Sequence, residues 1–188
     1  MIHAIIFLAA ASQPRLTRTQ LLLIEGARDQ LSWGTVYDPS YYKIGYPEGD
    51  VPRTKGVCTD VVIRAYRRAG IDLQRLIHLD IVADRRAYPK YPGKEPDTNI
   101  DHRRVPNQGV FFRRHGLRLS LATKSPSGWK PGDIVDWRLP NGLNHTGLLT
   151  DRFDPAGFPF VIHNIGAGPQ EEDVLRAWTV TGHYRYPR

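Results

Sequence analysis

The sequence has a single cysteine, Cys58, in 188 residues, and it has no apolar run long enough to cross a bilayer, which takes about 20 residues. One cysteine excludes an intrachain disulfide, so the fold depends on its core. A chain of this length can bury a sizeable core without a disulfide or a metal. We therefore expect a single domain over residues 13–188 that needs no cofactor.

Motifs for nucleic-acid binding are also missing, although the formal net charge is +7. The chain has no helix-turn-helix, zinc-finger or RNA-binding signature, and its arginines are dispersed rather than clustered. A positive surface attracts several kinds of anion, including anionic membranes and the bacterial cell wall. We expect no nucleic-acid partner.

Residues 1–12 form an apolar stretch that ends in small residues, as a secretory signal does. No Lys or Arg precedes the apolar run, so a buried N-terminal segment is the alternative interpretation. The stretch is too short to span a bilayer. We expect a periplasmic or secreted protein without an integral membrane segment.

Helical periodicity dominates the first half of the chain, and alternation dominates the second half. Helices are predicted over residues 17–32, 58–69, 72–87 and 108–115, with long irregular stretches at 33–53 and 88–107. From Leu117 onward, alternation from 117 to 121 and turn signals such as Asn141-Gly142 predict antiparallel strands, the last over 179–186. A polar bend is predicted at 168–172. The expected fold class is α+β, with N-terminal helices packed on a C-terminal antiparallel sheet.

Cys58 is expected at the start of the second helix, because apolar or small residues follow it with helical spacing up to Ala69. At a helix start, the macrodipole and the free N–H groups favour the thiolate, which is the nucleophilic form of cysteine. The alternative is an inert buried thiol, a common state of this residue.

Two histidines in the strand half have a spacing that brings them together. If the turn between their strands is centred on Asp154, antiparallel register places His145 opposite His163 on one face. A thiol, a histidine and a second polar group are the nucleophile, base and orienting group of covalent acyl transfer. A hydrogen-bonded core pair, or a zinc site that also uses Asp101 and His102, are the alternatives.

Four blocks of this sequence resemble, in order, those of NlpC-type cell-wall cysteine peptidases, which are papain-like enzymes. The blocks are Gly56-Val57-Cys58-Thr59-Asp60-Val61-Val62, Pro131-Gly132-Asp133-Ile134-Val135, His145-Thr146-Gly147-Leu148 and Val161-Ile162-His163-Asn164. Longer blocks at 99–107, 163–173 and 182–186 are similar to a bacterial branch catalogued as a domain of unknown function. That similarity covers nearly all of the chain after about residue 21.

The resemblance implies a papain-like fold in which Cys58 is the nucleophile, His145 the base and His163 the residue that orients the base. It also implies that the backbone N–H of Cys58 stabilises the oxyanion. The family usually has Asp-Cys-Ser-Gly, whereas here Val57 precedes the cysteine and Thr59-Asp60 follows it. Asp60 is expected either to cap the helix or to bind substrate. A carboxylate so close opposes a thiolate, so a charged His145 is expected to supply more of its stabilisation.

A cysteine-dependent amide hydrolase is the leading hypothesis, and the resemblance implies an endopeptidase or amidase that acts on the peptide part of peptidoglycan. Candidate substrate-binding residues are Asp60, Arg103, Arg104, Arg138 and Tyr46, and candidates for meeting an amine are Glu171, Glu172 and Asp173. Register counting places Arg138 on the face of His145. Any of these side chains could equally be a surface ion pair or a packing residue.

Two other functions stay open at this point. One is a periplasmic peptide-binding module that has the fold without turnover. The other is a metal hydrolase that uses His102, His145 and His163.

Overall fold

A computed structural model describes residues 15–89 and 95–188, so the apolar stretch at residues 1–12 lies outside the described residues. The helices of the described part are α1 (Arg18–Arg28), α2 (Cys58–Arg68), α3 (Leu73–Ala83) and α4 (Val105–His115). The strands are β1 (Val36–Tyr37), β2 (Lys55–Gly56), β3 (Leu117–Arg118), β4 (Ile134–Arg138), β5 (Asn144–Phe153), β6 (Pro159–Asn164), β7 (Pro169–Glu172) and β8 (Thr179–Arg185). No helix within these ranges has the length and apolar character needed to cross a membrane.

Six strands form one antiparallel sheet in the order β3-β8-β4-β5-β6-β7, while β1 and β2 form a separate parallel ladder. Because successive residues of a strand point to opposite faces, each central strand contributes to two cores. Ile134, Leu148 and Ile162 pack with the helices, and Val135, Leu149 and Val161 pack on the other face in a cluster with Trp129, Trp137, Phe158 and Leu175. The expected α+β class, with helices preceding an antiparallel sheet, is confirmed.

The predicted helices are present, with shifted ends. At the start of α1, the Thr17 hydroxyl accepts the N–H of Gln20 and the Gln20 side chain accepts the N–H of Thr17, which is the expected capping box. After Arg28 the chain continues as a 3-10 turn through Ser32. α4 starts at Val105, earlier than predicted, because Pro106 suits the first turn of a helix.

Several short strands differ from the prediction. The stretch at 33–53 contains β1, which is too short for its periodicity to be visible. The expected polar bend at 168–172 is the strand β7, whose residues are mostly polar because it lies at an edge of the sheet. Of the alternating residues 117–121, Leu117 and Arg118 form ladder pairs with β8, and the N–H of Leu119 donates to the carbonyl of His183 in the same strand.

Candidate active site

The start of α2 is held by side chains on either side of Cys58. Val57 is the N-cap residue, and its N–H donates to the Asp60 carboxylate at 2.7 Å. The Arg64 guanidinium donates to the carbonyl of Lys55 at 3.0 Å and to the Asp50 carboxylate at 2.9 Å. These contacts fix the chain that leads into the cysteine.

Asp60 and Arg103 form a buried ion pair rather than a free substrate-binding pair. Nε and Nη2 of Arg103 lie 2.8 and 2.9 Å from the two carboxylate oxygens of Asp60, and both side chains are at most 3% exposed. The Thr59 hydroxyl also donates to the carbonyl of Arg103 at 3.0 Å. Asp60 therefore caps the helix and joins it to the loop that leads into α4.

The surroundings of the Cys58 thiol favour its protonated form. Burial raises its pKa to about 12, and the charges of Asp60 and Asp136 add to this effect, while the backbone N–H groups of Thr146 and Thr59 oppose it. Burial and the neighbouring His163 lower the pKa of His145 to about 3. Both shifts oppose the expected thiolate with a charged His145 in the free protein, because desolvation outweighs the field of the helix start.

His145 and His163 are in direct contact, although the register differs from the prediction. Nε2 of His145 lies 2.9 Å from Nδ1 of His163, and the ring centroids are 5.0 Å apart. The ladder pairs Leu148 with Ile162, so the histidines are diagonal rather than directly opposite. They share a face because the shift is two residues, and a diagonal pair is within reach of large side chains.

Glu172 extends this contact beyond the predicted residues. Its Oε2 atom lies 3.0 Å from Nε2 of His163, and its side chain is 47% exposed, whereas that of His163 is 1% exposed. Burial lowers the pKa of His163, and the charge of Glu172 opposes that shift. Glu172 is thus used within the site rather than for meeting an amine.

Glu172 also determines which ring nitrogens carry protons. An ionised carboxylate only accepts hydrogen bonds, so Nε2 of His163 must donate to it. Nδ1 of neutral His163 is then an acceptor, and Nε2 of His145 must donate to it. This hydrogen-bond assignment leaves Nδ1 of His145 as the unprotonated, basic nitrogen.

Two tryptophans surround the histidine pair. The Trp137 ring stacks on His145 with centroids 5.6 Å apart, and Trp178 meets His145 and His163 edge-on at 5.7 and 5.8 Å. These contacts keep both imidazoles in an apolar environment, where they are neutral.

Cys58 lies in the wall of a pocket of about 530 Å³. The pocket is lined by the end of β1 and the loop that follows it (37–41), the start of α2, the segment at 100–107, and residues 143 and 144 at the start of β5, just before His145. The hydrogen bonds of the described residues include none between the sulfur and His145. The thiol is linked to this strand through the backbone N–H of Thr146, the residue after His145, whose hydrogen bond opposes the rise in the pKa of the thiol.

The remaining candidates for substrate binding are in different places. Arg104 lines the same pocket as Cys58. Arg138 pairs with Asn144, whereas Trp137 pairs with His145, so Arg138 points to the face opposite His145 and its predicted face is wrong. Arg138 lines a separate pocket, and Tyr46 packs edge-on against His78 of α3. Tyr37, by contrast, lines the Cys58 pocket.

The histidines do not form a metal-binding cluster in the described part of the chain, where no three His, Cys, Asp or Glu side chains are placed to hold an ion. His102 is buried next to Arg103, and burial lowers its pKa to about 4. The arrangement assumed for the metal hydrolase is therefore not formed by His102, His145 and His163.

The fold and the site define an α+β protein with a buried cysteine at a helix start and a histidine pair on the adjacent sheet. The chain belongs to the family described as "Domain of unknown function (DUF1287)", whose model matches residues 24–186. It is 53% identical over 169 residues to "Uncharacterized protein YijF" of Escherichia coli (strain K12). That match covers 89% of this chain and 82% of the E. coli protein. The expected branch of unknown function is confirmed by these comparisons.

Proposed function

We propose that this protein is a cysteine-dependent amide hydrolase with a papain-like fold of the NlpC type. The observation that carries the proposal is the contact chain from His145 through His163 to Glu172, which begins one residue after Asn144, a lining residue of the pocket that contains Cys58. This chain leaves Nδ1 of His145 as its unprotonated nitrogen. In this proposal Cys58 is the nucleophile, His145 is the base, and the remaining members of the chain orient the base.

The proposed reaction starts from a neutral thiol and a neutral imidazole. The thiol proton passes to Nδ1 of His145 as the sulfur attacks an amide carbonyl, and His145 then gives that proton to the leaving amine. Water, deprotonated by His145, hydrolyses the resulting thioester. The backbone N–H of Cys58, the first residue of α2, has no intrahelical acceptor and is available to the oxyanion.

This mechanism requires Cys58 and His145 to approach each other when substrate binds. Catalytic hydrogen bonds are often long in free enzymes and shorten in the substrate complex. Bound substrate would also replace water in the pocket and supply the carbonyl that the sulfur attacks.

The proposed substrate is the peptide part of peptidoglycan, cut as an endopeptidase or an amidase, with the protein exported to the periplasm or beyond. The resemblance of the four sequence blocks to cell-wall peptidases supports this proposal. The formal net charge of +7 suits an anionic wall.

A second candidate is a peptide-binding module without turnover, and the protonated thiol favours it. Purified peptidoglycan incubated with the protein, with Cys58→Ala and with His145→Ala separates the two when products are identified by mass spectrometry. The hydrolase predicts new peptide ends from the unmodified protein alone. Products from Cys58→Ala would rule out the thiol mechanism, and wall binding without products would favour the binding module.

An arm with EDTA tests the metal hydrolase in the same assay. The thiol mechanism predicts no change in products when EDTA is added. Loss of products with EDTA, together with activity in Cys58→Ala, would instead indicate a metal.

A further inference from the structure

The pocket that contains Cys58 has a positively charged lining. Its described lining residues include two arginines, Arg103 and Arg104, and no carboxylate. Asp60 lies beneath this lining and binds Arg103 through two short contacts. The charge of Arg103 is thereby neutralised, and the charge of Arg104 is left.

Arg104 has no hydrogen bond and no ion pair from its guanidinium to any other residue that the structure describes. Burial raises the pKa of Asp101 to about 6, and the charge of Arg104 opposes that rise; the same charge helps to lower the pKa of Asp97. These carboxylates are therefore near Arg104 without contacting it. The Asp97 carboxylate is already bonded to Tyr41 and Asn99. All the N–H donors of the Arg104 guanidinium are therefore available to a ligand in the pocket.

The position of Arg104 is fixed although its side chain is not paired. It is the N-cap residue of α4, and the preceding residue is anchored to α2 through Asp60 and Thr59. A backbone held in this way presents the side chain to the same pocket as the thiol. A planar guanidinium with unpaired donors suits a carboxylate, which it can bind through two parallel hydrogen bonds.

We propose that Arg104 binds a carboxylate of the substrate, so that the pocket beside Cys58 selects peptides with a free carboxylate close to the scissile amide. The inference rests on the proposed function for the bond that is cut, but the binding itself does not need catalysis. A pocket of this volume is within the range of about 300–1,000 Å³ that is usual for small-ligand sites.

The test measures binding separately from turnover, in the Cys58→Ala background. The probes are soluble peptidoglycan stem peptides with free carboxylates and the same peptides with their carboxylates converted to amides. Calorimetric titration should show tighter binding of the acid form. Arg104→Gln should weaken binding of the acid form by about 10- to 100-fold and change binding of the amide form little, because one charge-assisted contact is lost.

Two further variants separate this role from general effects of charge and folding. Arg104→Lys keeps the charge without the fork and should give an intermediate loss. Arg152→Gln removes an exposed arginine that stacks on Phe160 and does not line the pocket, so it should bind both peptides as the parent does. Thermal unfolding of each variant reports whether the fold is intact.

Equal affinity for acid and amide peptides, an acid preference that survives Arg104→Gln, or no binding of either peptide would overturn the inference. Acid-selective binding that depends on Arg104, without Cys58-dependent cleavage by the unmodified protein, would support the inference and reject the hydrolase. Cys58-dependent cleavage that depends neither on the substrate carboxylate nor on Arg104 would support the hydrolase and reject the inference.

Discussion

Nε2 of His163 lies 3.0 Å from the carboxylate of Glu172, which links the histidine pair to the edge strand β7. Because Glu172 only accepts hydrogen bonds, it determines the tautomer of His163 and, through it, the basic nitrogen of His145. A half-exposed glutamate thus determines which ring nitrogen is basic in a buried histidine that it does not touch.

Replacing Glu172 should therefore slow catalysis more than it weakens substrate binding. Glu172→Ala is expected to lower kcat by about 10- to 100-fold with little change in KM, because water can substitute only in part for the carboxylate. Glu172→Gln keeps an acceptor oxygen, so it should lower kcat less than Glu172→Ala does. The measurement is the steady-state kinetics of each variant on a cleaved wall peptide.

Glu171→Gln is the matched control for that experiment. Glu171 is the neighbouring residue, but its carboxylate binds Arg28 at 2.7 Å instead of a histidine. Its kcat should be close to that of the parent. An equal fall in both variants, or a change in KM alone for Glu172→Ala, would contradict the role assigned to Glu172.

The sequence predicts the contact between the two histidines correctly, although the predicted register is wrong. Strand alternation keeps His145 and His163 on one face under any shift by two residues. The pair of Phe153 and Pro159 centres the turn at residue 156 rather than 154, and the irregularity between Leu149 and Phe153 moves the register back by two residues, so that the net shift at the histidines is two residues. The same counting misplaces Arg138, because neighbours along a strand point to opposite faces. The sequence pattern therefore predicts which residues meet here, but it does not predict the register in which the two strands pair.

Contacts made by loops and edge strands could not be predicted in this way. Glu172 lies on a short polar strand that has no apolar alternation. Asp60 and Arg103 are 43 residues apart, and an irregular segment with no periodicity determines where Arg103 lies. The protonation state of Cys58 follows from its burial, which a helix-start pattern does not reveal.

The raised thiol pKa predicts slow alkylation of the free protein at neutral pH. Because the pKa of Cys58 is raised to about 12, the rate of reaction with iodoacetamide should keep rising with pH and reach no plateau below about pH 10. The measurement is the rate of mass increase over a pH series. In urea, the same thiol should level off near its ordinary pKa of about 8.5.

The outcome decides between two resting states of the site. A thiolate stabilised by a charged His145 would give a rate plateau below neutral pH. If the folded protein shows such a plateau and His145→Ala does not, the neutral state assigned to the Cys58 thiol and the His145 imidazole is contradicted.

The buried pair of Asp60 and Arg103 should contribute strongly to folding. Arg103→Met leaves the Asp60 carboxylate buried without its partner, so unfolding free energy should fall by about 3–5 kcal/mol. Asp60→Asn combined with Arg103→Met should be less destabilised than Arg103→Met alone, because no buried charge is left. Urea denaturation measures each value.

Arg68→Met breaks an exposed ion pair with a contact of the same length and is the control. Arg68 lies 2.8 Å from Glu25, and both side chains are 49% exposed. Its loss should change stability much less than the loss of Arg103, because solvent screens an exposed pair. Equal losses of unfolding free energy in Arg103→Met and Arg68→Met would show that burial does not increase the contribution of the Asp60 pair to stability.

Asp136 should make the stability of the protein depend on pH. This β4 residue is buried on the helix-facing side, and its Oδ1 atom has no hydrogen-bond partner among the described residues. Burial raises its pKa to about 7, although Thr146 and Arg113 lower it in part. A carboxyl group whose pKa is higher in the folded state adds stability at low pH, and that contribution is lost as pH rises from about 4 to about 7.

Asp136→Asn removes this titration while keeping nearly the same shape. The variant should gain stability relative to the parent as pH rises from about 4 to about 8, at about 1.4 kcal/mol for each unit of pKa shift removed. Urea denaturation at several pH values gives the difference. Asp173→Asn changes an exposed carboxylate and should show no comparable trend, whereas a pH-independent difference for Asp136→Asn would mean that Asp136 does not titrate in this range.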